Sequence, residues 1–342
     1  MAQKQIQLSK SIDNQTCERL FGLIKKFQSV HLLVIGDFIL DEFVWGRVER
    51  ISPEAPVPVV NVERRSFMPG GALNVANNIR SLNGTVYPCG VIGRDLYGRM
   101  LVKRIRQNHI ETGGVLSDKA RLTSLKTRII AHHQQVVRYD HEQLIDLTPA
   151  ETKKILGFAS RILNKIDAVI IGDYGKGVVT PKLLSGIVRL AKKKKIPILV
   201  DPKDKNFNHY KSITAVTPNK KEAYAAYEAR NGEKPTLDQV GNRLIKKFKS
   251  EAVLITLGEE GMALFEKNGR TTKIPTTARE VFDVSGAGDT VISVFGLALA
   301  AGASLKDAAL LSNLAAGVVV GKLGTATLSQ QELKDAVSAL CH

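Results

Sequence analysis

Apolar residues in this chain fall into two alternating kinds of run. HLLVIGD (31–37) is continuously apolar and ends in Gly-Asp, the pattern of a strand buried on both faces of a parallel sheet. TVYPCGVIG (85–93), DAVIIGD (167–173), IPILVDP (196–202), SITAVTP (212–218) and AVLITLG (252–258) read the same way. Between and after them, helical spacing predicts helices over 71–84, 95–110, 148–165, 180–194, 219–230, 236–249, 286–301, 304–321 and 329–340. Thr148-Pro149 and Thr180-Pro181 are N-cap and N1 pairs, and Asn83-Gly84 closes the first helix. Residues 1–29 are polar, with a weak helical pattern in Ile12, Leu20, Leu23, Ile24 and Phe27. A hairpin over 261–275 turns at Asn268-Gly269.

Strand and helix in alternation predict an α/β fold: a three-layer α/β/α, Rossmann-like, mostly parallel sheet with helices on both faces. Two segments do not fit it. Residues 43–68 alternate loosely around Pro53, Pro56 and Pro58, and 121–140 reads as a hairpin turning at His133-Gln134. They are expected to pair as a small β-lid on a single domain spanning 1–342.

Composition narrows the classes of function. The 342 residues are 44% hydrophobic, enough for a sizeable core, and carry a net charge of +16. That charge raises nucleic acid as a partner. It is scattered, however, and only 6% of residues are aromatic, so no basic groove with stacking platforms is apparent and no nucleic-acid partner is expected. The basic run 192–195 reads as a solvated helix end. The apolar stretches 291–301 and 308–320 are too short for a membrane span, and the N-terminus lacks a signal-like apolar core. Cys17, Cys89 and Cys341 are odd in number and far apart in sequence. They have no metal-ligand spacing, so reduced thiols and a cytoplasmic setting are expected.

The chemistry concentrates in DVSGAGDT (283–290). Gly286, Ala287 and Gly288 let a ligand approach the backbone at the start of a helix, where unsatisfied N–H groups and the dipole favour an anion. Asp289 beside such a site would repel phosphate, which makes sense if it takes a proton from a group attacking that phosphate; the alternative is a first-turn Asp that only complements the helix dipole. Two other glycine motifs are excluded. G-x-G-x-x-G would need glycine where Val291 stands. The pairs Gly175-Lys176 and Gly321-Lys322 are followed by Gly177 and Leu323, not by the Ser or Thr of a P-loop. Polar residues also recur at successive strand ends, where ligands of such sheets bind: Asp37, Asp173, Asp201, Lys203, Asn219, Thr256 and Gly258.

GGALNVANN (70–78), TPNKKE (217–222), TLGEEG (256–261) and DVSGAGD (283–289), in this order, resemble the PfkB, or ribokinase-like, sugar kinases. The resemblance covers 31 to about 340. It implies an ATP-dependent phosphotransferase with Asp289 as base and Gly286, Ala287 and Gly288 as anion hole. It also implies a nucleotide site at Asn219, Lys220, Lys221, Glu222, Thr256, Gly258 and Gly261. Asn313 is expected to face the adenine, with helix packing as its alternative. Mg²⁺ would be held through water by Asn219 and Glu222, and a monovalent cation such as K⁺ stays open. Asp37, Gly70, Gly71, Asn74 and Asp173 fall on the sugar side, with Asp37 and Asn74 expected to bond its hydroxyls. Val294 departs from the usual Gly or Ala of the family.

RISPEAPVPVV (50–60), VRYDHE (137–142), DYGKGV (173–178) and DPK (201–203) are similar to the kinase half of bifunctional heptose enzymes of lipopolysaccharide synthesis. That narrower resemblance implies D-glycero-D-manno-heptose 7-phosphate as substrate, phosphorylated at its anomeric oxygen, with Arg138, Lys176 and Lys203 as candidates for the sugar phosphate. The chain ends at His342 without an H-x-G-H motif, so a stand-alone kinase is expected, dimeric through its lid. The alternatives are another kinase of the family, for ribose, adenosine or phosphofructose, or a non-catalytic sugar sensor on the same fold.

Overall fold

A computed structural model describes residues 5–7, 12–132, 134–229, 233–278 and 280–341. Its first half runs β1 (Gln5–Gln7), α1 (Asn14–Lys26), β2 (His31–Gly36), β3 (Phe38–Ile51), β4 (Pro58–Gly71), α2 (Ala72–Ser81), β5 (Thr85–Gly93) and α3 (Leu96–Gln107). Next come β6 (Gly114–Asp118), β7 (Ser124–Ala131), β8 (Gln134–His141), α4 (Pro149–Ile162), β9 (Ala168–Gly172), α5 (Pro181–Lys194), β10 (Ile198–Asp201) and β11 (Ala215–Val216). The chain closes with α6 (Lys220–Tyr227), α7 (Leu237–Phe248), β12 (Ala252–Thr256), β13 (Met262–Glu266), β14 (Thr271–Ile274), α8 (Ala287–Ala300), α9 (Leu305–Val319) and α10 (Gln330–Ser338).

Ten strands form the main sheet in the order β1-β14-β13-β12-β11-β10-β9-β2-β5-β6, with β13 antiparallel to both its neighbours. Period-two alternation divides its side chains between two cores. Leu32 and Val34 of β2 enter one core with α1, α2, α3, α8, α9 and α10, while Leu33 and Ile35 enter the other with α4 to α7. The chain leaves β2 toward β5 on one side and returns through β9 on the other. The crevice beyond the carboxyl ends of β2 and β9 is therefore the switch point where ligands of open α/β sheets bind.

A second sheet, β4-β3-β7-β8, stands apart from the first. Its β3–β4 pair is antiparallel with irregularities at Trp45/Gly46 and Val48/Arg50; β3–β7 is parallel and β7–β8 antiparallel. The sheet begins at Phe38 and reaches His141, wider than the segments 43–68 and 121–140. Gln134 opens β8 and does not form the turn; His133 lies outside the described residues. Strand β6 and strand β1 were not visible in the hydrophobic pattern. Both are short sheet edges with few apolar residues.

One expectation needs correcting. Cys17 and Cys341, 324 residues apart, are joined by a disulfide with their Cα atoms 6.2 Å apart. Distance along the chain is not distance in space here, because α1 packs on α10. Cys89 alone is free; burial pushes its thiol up to about 12. No helix among the described residues is long and apolar enough to cross a membrane.

Candidate active site

A cleft of about 340 Å³ opens at the switch point. Of the residues singled out in the sequence, Arg138, Asp173, Lys176, Asp201, Lys203, Asn219, Glu222, Thr256 and Gly288 line it. The N-terminus of α8 closes one side. Its cap, Gly286, has φ 82°, a backbone that a side chain would strain. Asp283 fixes the approach by accepting from the Ser285 and Gly324 N–H groups. The three-amide anion hole is modified: the Ala287 N–H is taken up in a turn with Val284 O at 3.2 Å. The N–H groups of Gly286 and Gly288 have no protein acceptor among the described residues.

Asp289 follows, 8% exposed. Asn74 Nδ2 donates to its Oδ2 at 2.6 Å and the Tyr174 hydroxyl donates to its Oδ1 at 2.5 Å. Asn74 thus meets the carboxylate, where a sugar hydroxyl was expected, and is itself fully buried with Asn78 behind it. Burial raises the Asp289 carboxyl to about 6, although both hydrogen bonds favour the ionised form and hold it down. A carboxylate poised near neutrality suits a general base. The rate should therefore fall as pH drops below about 6. Replacing Tyr174 by Phe removes a bond that favours the carboxylate, so the acid limb of kcat/KM should move to higher pH. A pH–rate profile checks this, and an unmoved limb would remove Tyr174 from any part in tuning the base.

Asp37 also differs from expectation. It is 1% exposed and turns its carboxylate to the backbone, accepting from the N–H groups of Tyr174, Lys176 and Val178 at 3.0, 3.1 and 2.9 Å. In this arrangement it holds the 174–178 loop and does not line the cleft. Asp173 lines the cleft, but its oxygens are engaged by Asn206, Tyr210 and the Gly175 N–H. Gly70 and Gly71 bring the start of α2 against β3. A Cβ at Gly70 would lie 2.1 Å from Asp41 Oδ2, and Gly71 has φ 60°.

The Asn219-x-x-Glu222 spacing has a local structural cause. Asn219 accepts from the Glu222 N–H and Glu222 from the Asn219 N–H, a reciprocal capping box at the start of α6. A bridge from Asn219 to Thr256 ties that cap to the end of β12. Lys220 pairs with Glu260 at 2.7 Å and Lys221 is exposed; neither lines the cleft. Gly258 and Gly261 shape the turn after β12 at φ 64° and 89°. Asn313 donates to Pro275 O at 2.9 Å and is 3% exposed, which is the packing alternative for that residue. Val294 is fully buried in α8, a packing position.

A divalent cation fits the donors present. Asp201 is pushed well above the usual carboxylate range by burial, and then by the charges of Asp289 and Glu222. Oxygen donors that repel one another at the mouth of an anion site suit a hard cation that keeps its waters. Among the described residues no His, Cys, Asp or Glu group forms a direct cage.

Sequence reasoning missed Tyr174 and Lys126, and read Asp201 only as a polar strand end. Tyr174 sits beside Asp173 in a motif already singled out. Nothing along the chain marks Lys126, because only the sheet decides which face of β7 looks into the cleft.

A profile described as "pfkB family carbohydrate kinase" matches residues 30–332. The bifunctional protein HldE of Geobacter metallireducens is 44% identical over 322 residues, covering 94% of this chain and 65% of that protein. HldE of Geobacter sulfurreducens is 44% identical over 305 residues, covering 89% and 62%. The chain thus spans slightly less than two thirds of the length of these relatives. Among solved structures, phosphofructokinase-2 from Escherichia coli in complex with potassium superposes with a TM-score of 0.72 at 21% identity, covering 92% of this chain and 99% of that one. Arabidopsis thaliana ribokinase with ribose and ATP gives 0.70 at 17% identity, covering 90% and 98%. These two establish the ribokinase-like fold.

Proposed function

The chain belongs to the pfkB family of carbohydrate kinases and is a sugar phosphotransferase, and from that premise we propose that it phosphorylates D-glycero-D-manno-heptose 7-phosphate at the anomeric hydroxyl. The observation that carries the proposal is the 44% identity to HldE proteins over nearly the whole chain. Basic side chains in the cleft are compatible with it: Arg138, Lys176 and Lys203 line the space together with the acidic Asp140, Asp173, Asp201 and Glu222. The product would be the 1,7-bisphosphate, for lipopolysaccharide heptose synthesis.

In this reading Asp289 accepts the proton of the attacking hydroxyl. Tyr174 and Asn74 hold its two oxygens in place, and the free N–H groups at the start of α8 steady the charge on the transferring phosphoryl group. The kinases of this family use ATP with a divalent cation. We assign Mg²⁺, with Glu222 and Asn219 reaching it through water and Asp201 nearby; bound there, it would offset charge on the phosphates. K⁺ remains part of the proposal. So do a single domain with the small sheet as lid, a cytoplasmic setting, which the Cys17–Cys341 disulfide deprives of its support from reduced thiols, and a symmetric dimer through the exposed strand β8 and its sheet.

The test is a panel of acceptors. The kcat/KM for heptose 7-phosphate should exceed that for ribose, adenosine or fructose 6-phosphate by about tenfold or more, a size set by one buried charge-assisted contact. Comparable turnover on an unphosphorylated pentose would end the heptose assignment and leave the kinase standing. Light scattering on the same preparation reads the dimer.

A further inference from the structure

Five cations stand at or just behind the cleft, and four of them are already held. Arg128 Nη1 reaches Asp41 Oδ1 at 2.6 Å, and Arg138 Nε reaches Asp140 Oδ1 at 3.0 Å. Lys176 Nζ lies 2.5 Å from Glu142 Oε1, and Lys203 Nζ 3.4 Å from Glu222 Oε1. The fifth is Lys126. It has no carboxylate within 4.0 Å among the described residues, although it lines the cleft and is half-buried.

The sheet register explains the imbalance. Lys126 and Arg128, two apart on β7, share a face. Directly opposite Lys126 are Asp41 on β3 and Asp140 on β8. Each of those acids is drawn away, one by Arg128 and the other by Arg138. Three bases and two acids on one face leave one ammonium unmatched. Burial, followed by the charge of Lys176, pushes the Lys126 ammonium below its ordinary value. A partly desolvated cation without a partner is costly unless the cleft's ligand brings the missing anion. Lys126 and Gly288, the neighbour of Asp289, line the same cleft, and the Lys126 charge favours the ionised form of Asp289. Lys126 enters the cleft from strand β7 of the small sheet, whereas the Asn219–Glu222 cap and the start of α8, where nucleotide phosphates would end, line the same cleft from the main-sheet side.

We infer that Lys126 is the anchor for the phosphomonoester of the sugar substrate, with Arg138 and Lys176 as its charged surroundings. This rests on the phosphosugar reading above and replaces the expectation that Arg138, Lys176 or Lys203 is the principal contact, since each of those already has a carboxylate.

The experiment measures steady-state kinetics of the full chain carrying Lys126→Met or Lys126→Arg, with heptose 7-phosphate, the unphosphorylated heptose and ATP. Lys126→Met should raise KM for the phosphosugar about 10- to 100-fold, the range for a hydrogen bond to a charged group, with kcat and KM for ATP little changed. Lys126→Arg should recover most of the affinity. Inorganic phosphate should compete with the sugar in the native protein and lose potency in the Met variant. If that variant does not fold, Lys126→Gln serves for the same measurements. Should the native protein prefer the phosphosugar while the Met variant keeps its KM, the anchor is wrong and the substrate reading survives. A fall in kcat at constant KM would place Lys126 on the transferring phosphoryl group and overturn the anchor. No preference of the native protein for the phosphosugar over the unphosphorylated heptose would overturn substrate and anchor together, leaving the kinase intact.

Discussion

Asp289→Asn should lower kcat by about 10²–10⁴-fold with nearly unchanged affinity for ATP. The substitution keeps size and polarity but removes the basic oxygen. Its carbonyl oxygen can still accept from Asn74 Nδ2, and its amide can donate to the Tyr174 oxygen once that hydroxyl rotates. The local network is therefore preserved and the loss belongs to chemistry. A stability measurement separates the two. The folded carboxyl is raised to about 6 from 3.8, so the folded state binds a proton more tightly than the unfolded chain. Its contribution to stability is fully present below pH 3.8 and is lost as pH rises to about 6. Above that pH the native protein bears the cost of a buried carboxylate, on the order of 1–3 kcal/mol, and the amide does not. Thermal unfolding at pH 8 should show the variant at least as stable as the native protein. A variant that keeps most of its turnover would reduce Asp289 to a partner of the helix dipole.

Asp37→Ala should be among the most destabilising single substitutions in the chain. The buried Asp37 carboxylate accepts three backbone N–H groups from one loop. Removing it leaves those donors facing a hole, at about 1–3 kcal/mol for each that water does not reach; burial and the Asp173 charge, which push the Asp37 carboxyl up, offset part of this, leaving roughly 3–5 kcal/mol. Folded domains have only about 5–15 kcal/mol in hand. The loop also carries Tyr174, so activity should fall with stability. Asp37→Asn keeps one acceptor and should lie between. Urea denaturation of the two variants decides: an unchanged midpoint for Asp37→Ala would mean that the loop is held by something else.

The sequence anticipated much of the fold for a physical reason. Strands buried on both faces must be continuously apolar, and each ends where polarity returns. So β2, β9, β10 and β12, and with them the α/β class, could be read from HLLVIG, AVIIG, ILVD and AVLIT. Helix starts were marked by local chemistry at Thr148-Pro149 and Thr180-Pro181, which cap as expected. Asn219 and Glu222 stand out in the sequence because their capping box is built from residues three apart.

What the sequence could not hold was any relation between distant segments. Asn74 and Asp289 are 215 residues apart, and only the packing of α2 against α8 brings the Asn74 amide, expected at a sugar hydroxyl, onto the Asp289 carboxylate. Asp37 looked like a ligand because it ends a strand; the returning loop after β9 claimed it first. Cys17 and Cys341 meet because both ends of the chain pack on one face of the sheet. Lys126 was one basic residue among 49 until the register of β3, β7 and β8 assigned its neighbours' charges elsewhere. Hydrophobic periodicity and caps are short-range properties that a chain carries along its length. The balance of charge in a cleft is a sum over segments that meet only in the folded protein, and there tertiary structure alone decided.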